Sequence, residues 1–185
     1  MRRHFLYVVI AAVLCSCTKN PVEIYYKDQR AYYDIPKFIN AQSTNLDKKK
    51  QWVRKTVTKD GRTHIIERGD IEWNDELSAF IDSDINRPAW RGSFKVDTIS
   101  LDRVWVITYK TEVSEIPVKN VVVTMDKESK ECLQVTVDKS TENFLYTSNQ
   151  KLFYTTGEGY MLKGKLSVTY LFESEYAIES EFVEI

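Results

Sequence analysis

Cys132 and His64 are the residue types from which a nucleophilic centre could be assembled, because a thiol and an imidazole need only meet in the folded chain. Their settings do not favour one. Cys132 follows Lys130-Glu131 and alternates with Gln134 and Thr136, which predicts a partly exposed position at the start of a strand. His64 has no Cys, Asp or Glu beside it at metal-ligand spacing. Zinc sites usually draw three or four ligands from His and Cys, so neither a metal nor another cofactor is expected. Carboxylates are abundant, and two of them converging across a groove would make the acid and base of a glycosidase-like hydrolase. Nothing in their spacing selects a pair, and no catalytic residue is assigned. Gly157-Glu158-Gly159 lacks the Gly-Lys-Ser/Thr of a phosphate loop and reads as a turn.

Aromatic rings form 12% of the chain and concentrate between Phe144 and Tyr160. With Asn149-Gln150 read as a turn, Phe144, Tyr146 and Phe153 share one strand face, and Leu145, Leu152 and Tyr154 share the other. One set fills a core. The other must meet a helix, solvent, a ligand or a partner, and Tyr and Trp are enriched at binding surfaces. Trp90, Tyr146, Tyr154 and Tyr160 are therefore the expected binding surface, with Lys151 at its rim. An apolar ligand or an envelope protein partner is the kind of molecule such a surface takes.

The N-terminus carries chemistry of another kind. Arg2 and Arg3 precede an apolar stretch from Phe5 to Leu14, half the roughly 20 residues that a helix needs to cross a bilayer. That is the pattern of a secretory signal. Leu14-Cys15-Ser16-Cys17 then resembles a bacterial lipobox, with Leu at −3, a small residue at −1 and the thiol to be lipidated at +1. The expectation is cleavage after residue 16 and a membrane anchor on Cys17, since two or more acyl chains give stable attachment. Removing sixteen of 185 residues leaves 169, one ordinary domain. Losing Arg2 and Arg3 from 26 basic residues leaves 24 against 27 acidic, a net charge of −3. No basic footprint for nucleic acid is present. With Cys15 removed and Cys17 alkylated, Cys132 has no partner for an intramolecular disulfide.

The elements that must hold these residues are legible from pattern. The segment 17–33 follows the lipidated Cys, and Asn20-Pro21-Val22-Glu23 reads as a capped helix start. Its tyrosines either sit at the lipid headgroups or pack on the domain. The domain itself, 34–185, opens with a helix from Asp34-Ile35-Pro36 whose Ile35, Phe38, Ile39 and Leu46 share a face. Asp60-Gly61 predicts a two-residue type I′ hairpin that sets Lys59 opposite Arg62, Arg54 opposite Glu67 and Thr56 opposite Ile65. A further helix is predicted from Asn74-Asp75, with Trp73, Leu77, Phe80, Ile81 and Ile85 on its stripe and Pro88 ending it. Strands follow near 93–101, 104–111, 118–125, 132–138, 144–148, 151–155, 165–172 and 175–183. Connections this short force antiparallel neighbours. The fold class is α+β: a meandering, curled antiparallel sheet with two or three helices packed on one side.

Residues 84–90 (Asp-Ile-Asn-Arg-Pro-Ala-Trp) and 93–97 (Ser-Phe-Lys-Val-Asp) resemble a family of uncharacterised lipoproteins from the Bacteroidota. So do residues 145–154 and Gly157-Glu158-Gly159-Tyr160. The resemblance implies placement in the cell envelope, at the outer membrane, and supplies no catalytic residues. A curled sheet over helices on a lipid-anchored chain is also similar in outline to carrier and receptor proteins that shuttle lipoproteins between membranes, an analogy of topology. The expected function is a non-catalytic binding or scaffolding module, and the alternative is a hydrolase of an envelope polymer.

Overall fold

The computed structural model describes residues 32–184. Cys17, the leader and the helix expected from Pro21 lie outside the described residues. Helix α1 (Ile35–Lys49) begins where the Asp34 carboxylate accepts the Lys37 N–H at 2.9 Å, with Pro36 in the first turn. Ile35, Ile39 and Leu46 are buried on one stripe. The helix ends at Lys50, which takes a left-handed conformation (φ 48°) and donates its N–H to Asp47. Lys48 and Lys49 in the last turn lie, solvent-exposed, at the negative end of the helix dipole, where their charge is favourable.

Strands β1 (Trp52–Lys59) and β2 (Arg62–Arg68) form the predicted hairpin with the predicted register. Asp60 and Gly61 both have positive φ (48° and 79°), as a type I′ turn demands. Arg54 meets Glu67 across the ladder at 2.6 Å. Asp60 also ties this tip to the last strand, donating its N–H to the Glu175 carbonyl and accepting the Glu175 N–H on its carboxylate.

The single helix predicted after Asn74 is instead two turns, α2 (Trp73–Glu76) and α3 (Ser78–Ile81), divided at Leu77. Asn and Asp do not cap it; Glu72 stands at the cap with no side-chain bond. The run is rich in Ser, Asp and Asn, whose side chains compete with the helical ladder. Ser83 donates to the Ala79 carbonyl, and Asp84 accepts the Asn86 N–H. Breaking the helix still lets Trp73, Leu77, Phe80 and Ile85 all be buried. A 3₁₀ turn, Pro88–Trp90, leads into the sheet. No described helix is long and apolar enough to cross a membrane.

Seven more strands follow: β3 (Lys95–Ser100), β4 (Val104–Lys110), β5 (Val118–Asp126), β6 (Cys132–Glu142), β7 (Tyr146–Thr155), β8 (Gly159–Val168) and β9 (Phe172–Val183). All pairings are antiparallel, and the nine-stranded sheet runs β2-β1-β9-β8-β7-β6-β5-β4-β3. The sheet is open and curled, with the helices on one face, as the α+β reading expects. That face supplies Val53, Val121, Val123, Val135, Val137, Leu152, Tyr154 and Tyr160 to the core, against Ile35, Ile39, Trp73, Leu77 and Phe80.

Three strand assignments need correction. Residues 144–148 and 151–155 are parts of one strand, and Asn149-Gln150 is no turn: the pair sits mid-ladder between β6 and β8. Bonding to neighbours on both sides overrides the local turn preference of Asn. The true turn is at Asn143, whose side-chain oxygen accepts the N–H groups of Leu145 and Tyr146. Strand β8 starts at Gly159 rather than near 165, and the chain reverses at 169–171, inside the stretch expected to be strand. Lastly, a register shift between Thr124 and Met125 turns Cys132 into the core, where partial exposure was expected, and leaves Leu133 exposed.

Candidate functional site

Tyr154 and Tyr160 are not surface rings. Tyr154 has no exposure at all and lies at the centre of an aromatic cluster, with Phe38, Phe80 and Phe182 at centroid distances of 5.8, 6.0 and 6.4 Å. It shares the face of Leu152, the side on which α1 and α3 sit, so the helices cover it. Its hydroxyl reaches Gln42 at 3.2 Å. Tyr160 is also buried and donates its hydroxyl to the Glu76 carboxylate. Lys55 meets the same carboxylate oxygen at 2.6 Å. This trio pins β1, α2 and β8 together, and the buried Ser180 hydroxyl opposite Tyr160 has no hydrogen bond among the described residues. Burial, reinforced by Glu76, pushes the Tyr160 phenol far above its ordinary pKa, so it remains a donor.

The other expected residues do not converge with these two. Tyr146 is half-buried on the same face of β7 as Tyr154, but eight residues away, about 26 Å along a strand. Lys151 falls on the opposite face, exposed and paired with Asp138 at 3.6 Å. Trp90 is half-buried in the 3₁₀ turn, with the Arg87 guanidinium 4.7 Å above its ring. The single binding surface composed of Trp90, Tyr146, Tyr154 and Tyr160 is therefore overturned: with Asn149-Gln150 read as a turn, alternation set Tyr146 and Tyr154 on opposite faces, whereas the continuous strand β7 puts both on the helix-bearing face, and the helices cover Tyr154.

A Cys/His centre is not assembled either. Cys132 is buried, and that burial raises its thiol pKa. His64 stands exposed on β2, five strand spacings from β6 in the sheet order, about 24 Å away. Among the described residues no three of His, Cys, Asp and Glu gather as a metal site.

What pattern reading missed is a groove of about 720 Å³ lined by strand and turn residues, with no helix residue in its wall. Its floor is one row of the sheet, Lys139–Gln150–Gly164–Tyr176, set by the pairing of β6, β7, β8 and β9. Gly164 is what makes the row concave. The Tyr176 ring lies over it so closely that a Cβ there would fall 2.4 Å from ring carbons. The Tyr176 hydroxyl accepts a hydrogen bond from the Gln150 amide at 2.9 Å. Lys139 is half-buried and, among the described residues, its amine makes no hydrogen bond or ion pair. Burial lowers its pKa, and Asp82 opposes that shift.

The other charges of the groove are occupied. Lys119 donates to the Val113 and Ser114 carbonyls, Lys163 pairs with Glu179, and Lys165 pairs with Glu173 and Glu175. Asp138 accepts from Asn120 and meets Lys151. Asp60 is held below the usual carboxylate range by the Glu175 N–H and the Ser174 hydroxyl. The arrangement offers one amine without a hydrogen-bond or ion-pair partner among the described residues, an amide and an aromatic face. It can hold an anionic or hydroxyl-bearing group beside a ring. Lysine and tyrosine at these positions look like ordinary strand residues in sequence, and only Gly164, a glycine within an alternating strand, signals a close approach. No family model, curated protein or solved structure matches the chain.

Proposed function

We propose that this protein is a lipoprotein of the bacterial envelope, held at the outer membrane through Cys17, whose domain binds an amphipathic ligand without transforming it. The observation that carries the reading is the half-buried, unpaired Lys139 in the same row as the Tyr176 ring laid over Gly164. A desolvated amine without a partner is costly, and an anionic group entering the groove would supply that partner. The ring and the neighbouring Leu166 and Val168 on the same strand face would take the apolar part.

The carboxylates support binding over hydrolysis. An acid catalyst needs a carboxyl kept protonated by an apolar setting, whereas Asp60, Asp138 and Glu175 each accept from a donor or meet a cation. The test is calorimetric titration of the protein with an anionic single-chain amphiphile, dodecyl phosphate, below its micellar concentration. Lys139→Met should weaken binding tenfold or more, while Lys163→Met, whose amine is already paired, should change it less than threefold. Equal affinity in the protein and in Lys139→Met would remove this assignment.

A further inference from the structure

Two neighbouring hairpin tips carry the three most exposed large apolar side chains of the described residues, Tyr170 (101%), Phe144 (88%) and Leu171 (78%), together with Leu145 (63%) and Phe172 (54%). Tyr170 protrudes without cover. The β6–β7 and β8–β9 turns are joined to each other, since Thr169 donates its N–H to the Leu145 carbonyl at 3.0 Å and its hydroxyl to Phe144 at 3.3 Å. Behind them on the helix-bearing face, Tyr146, Val168 and Phe172 form one cross-strand row. Residues 143–150 and 166–172 contain no Asp, Glu, Lys or Arg, in a chain that is 29% charged. An apolar patch this concentrated on a protein surface marks an interaction site.

We infer that these joined tips insert into the surface of the membrane that holds the protein, an inference that rests on the lipid-anchored reading above. Three observations select a bilayer as the occupant. The first is the tether. From Cys17 to Tyr32 the chain has fifteen peptide links and spans at most about 50 Å. Tyr32 packs on Tyr109, whose cross-strand row through Val121 and Val137 to Leu152 lies six residues from Tyr146, about 20 Å, so the tether lets the tips reach the membrane that holds Cys17.

The second is hydrogen bonding. Lipid tails offer no partner to backbone groups, so whatever enters must satisfy them internally. Here the Leu145 and Tyr146 N–H groups are bonded to the Asn143 side chain, Asn143 N–H to Tyr146, and Leu171 N–H to Val168. The third is composition and shape: convex tips of Phe, Leu and Tyr with charges only behind them suit the boundary between acyl chains and headgroups. Those charges begin at Glu142 and at Glu173, the latter bridged to Lys165. Insertion would set the Lys139–Tyr176 row beside the lipid headgroups, since it lies four residues behind Tyr146 and Phe172, about 13 Å.

The experiment uses the full chain in phosphatidylcholine vesicles. An environment-sensitive dye is attached to Tyr170→Cys or, at the far end of the sheet, to Glu128→Cys, with Cys132 protected by burial. Lipids brominated near the top of the acyl chain should quench the dye at 170 at least threefold more than the dye at 128. Equal quenching at both positions, or quenching at 170 that vanishes when each vesicle holds one copy, would overturn the inference, the latter showing that a second copy covers the tips. Replacing Phe144 and Leu171 by Ser should abolish the quenching at 170 without shifting the thermal midpoint. Labelled-palmitate incorporation, compared between the protein and Cys17→Ser, reports separately on the anchor. Incorporation without quenching defeats the tip, and quenching without incorporation defeats the anchor alone.

Discussion

Replacing Tyr154 tests most directly whether the aromatic cluster is core rather than ligand surface. The ring is wholly buried and touches Phe38, Phe80 and Phe182, rings drawn from α1, α3 and β9. Tyr154→Ala removes its apolar contacts and leaves a cavity that three separate elements would have to collapse to fill, which costs about 3–5 kcal/mol for a large aromatic residue. A domain of this length has about 5–15 kcal/mol in total, and each kcal/mol moves the midpoint by about 2–4 °C. The expected loss is therefore about 6–20 °C. Tyr154→Phe keeps the ring and forfeits only the bond to Gln42, about 1 kcal/mol. Thermal and urea unfolding followed by circular dichroism would measure both. An Ala variant within 1 kcal/mol of the protein, or a Phe variant as damaged as the Ala variant, would refute the packing argument.

Two further outcomes follow from buried polar groups. Burial raises the phenol pKa of Tyr154 and Tyr160 above the unfolded value near 10; the associated stability is present below pH 10 and is lost as pH rises beyond it, because the unfolded state releases the protons first. Urea midpoints should fall between pH 10 and 11.5, and the fall should be shallower in Tyr160→Phe; an unchanged slope would contradict the burial-driven shift. In the trio of Lys55, Glu76 and Tyr160, the side chains of Lys55 and Glu76 are only 16% and 20% exposed, so removing one charge strands the other. Lys55→Met and Glu76→Gln should each cost about 1–3 kcal/mol, and the double variant less than their sum. Strict additivity in that cycle would show that the pair is not coupled.

Local signals were legible wherever one short segment carries all the information. Asp34 with Pro36 defines the start of α1, and Asp60-Gly61 alone dictates a turn in which both residues have positive φ, from which the register of β1 on β2 follows residue by residue. The short polar connections were enough for an antiparallel meander. Legibility failed where a neighbour had the stronger claim. Asn149-Gln150 prefers a turn in isolation, yet ladders on both sides fix it as strand.

Whether an aromatic residue is core or surface was likewise beyond pattern: the misplaced turn set Tyr146 and Tyr154 on opposite faces, the continuous strand puts them on one, and helices cover only the end that holds Tyr154. The groove is the extreme case. Its row joins Lys139, Gln150, Gly164 and Tyr176 from four strands, and no residue knows its neighbour in the row until three registers are set. Sequence alone determined which segments alternate, turn and cap, since those preferences act over a few residues. The burial of Tyr154 and Tyr160, the isolation of Lys139 and the meeting of the two apolar tips were decided only by tertiary structure, because each depends on contacts between strands and helices far apart in the chain.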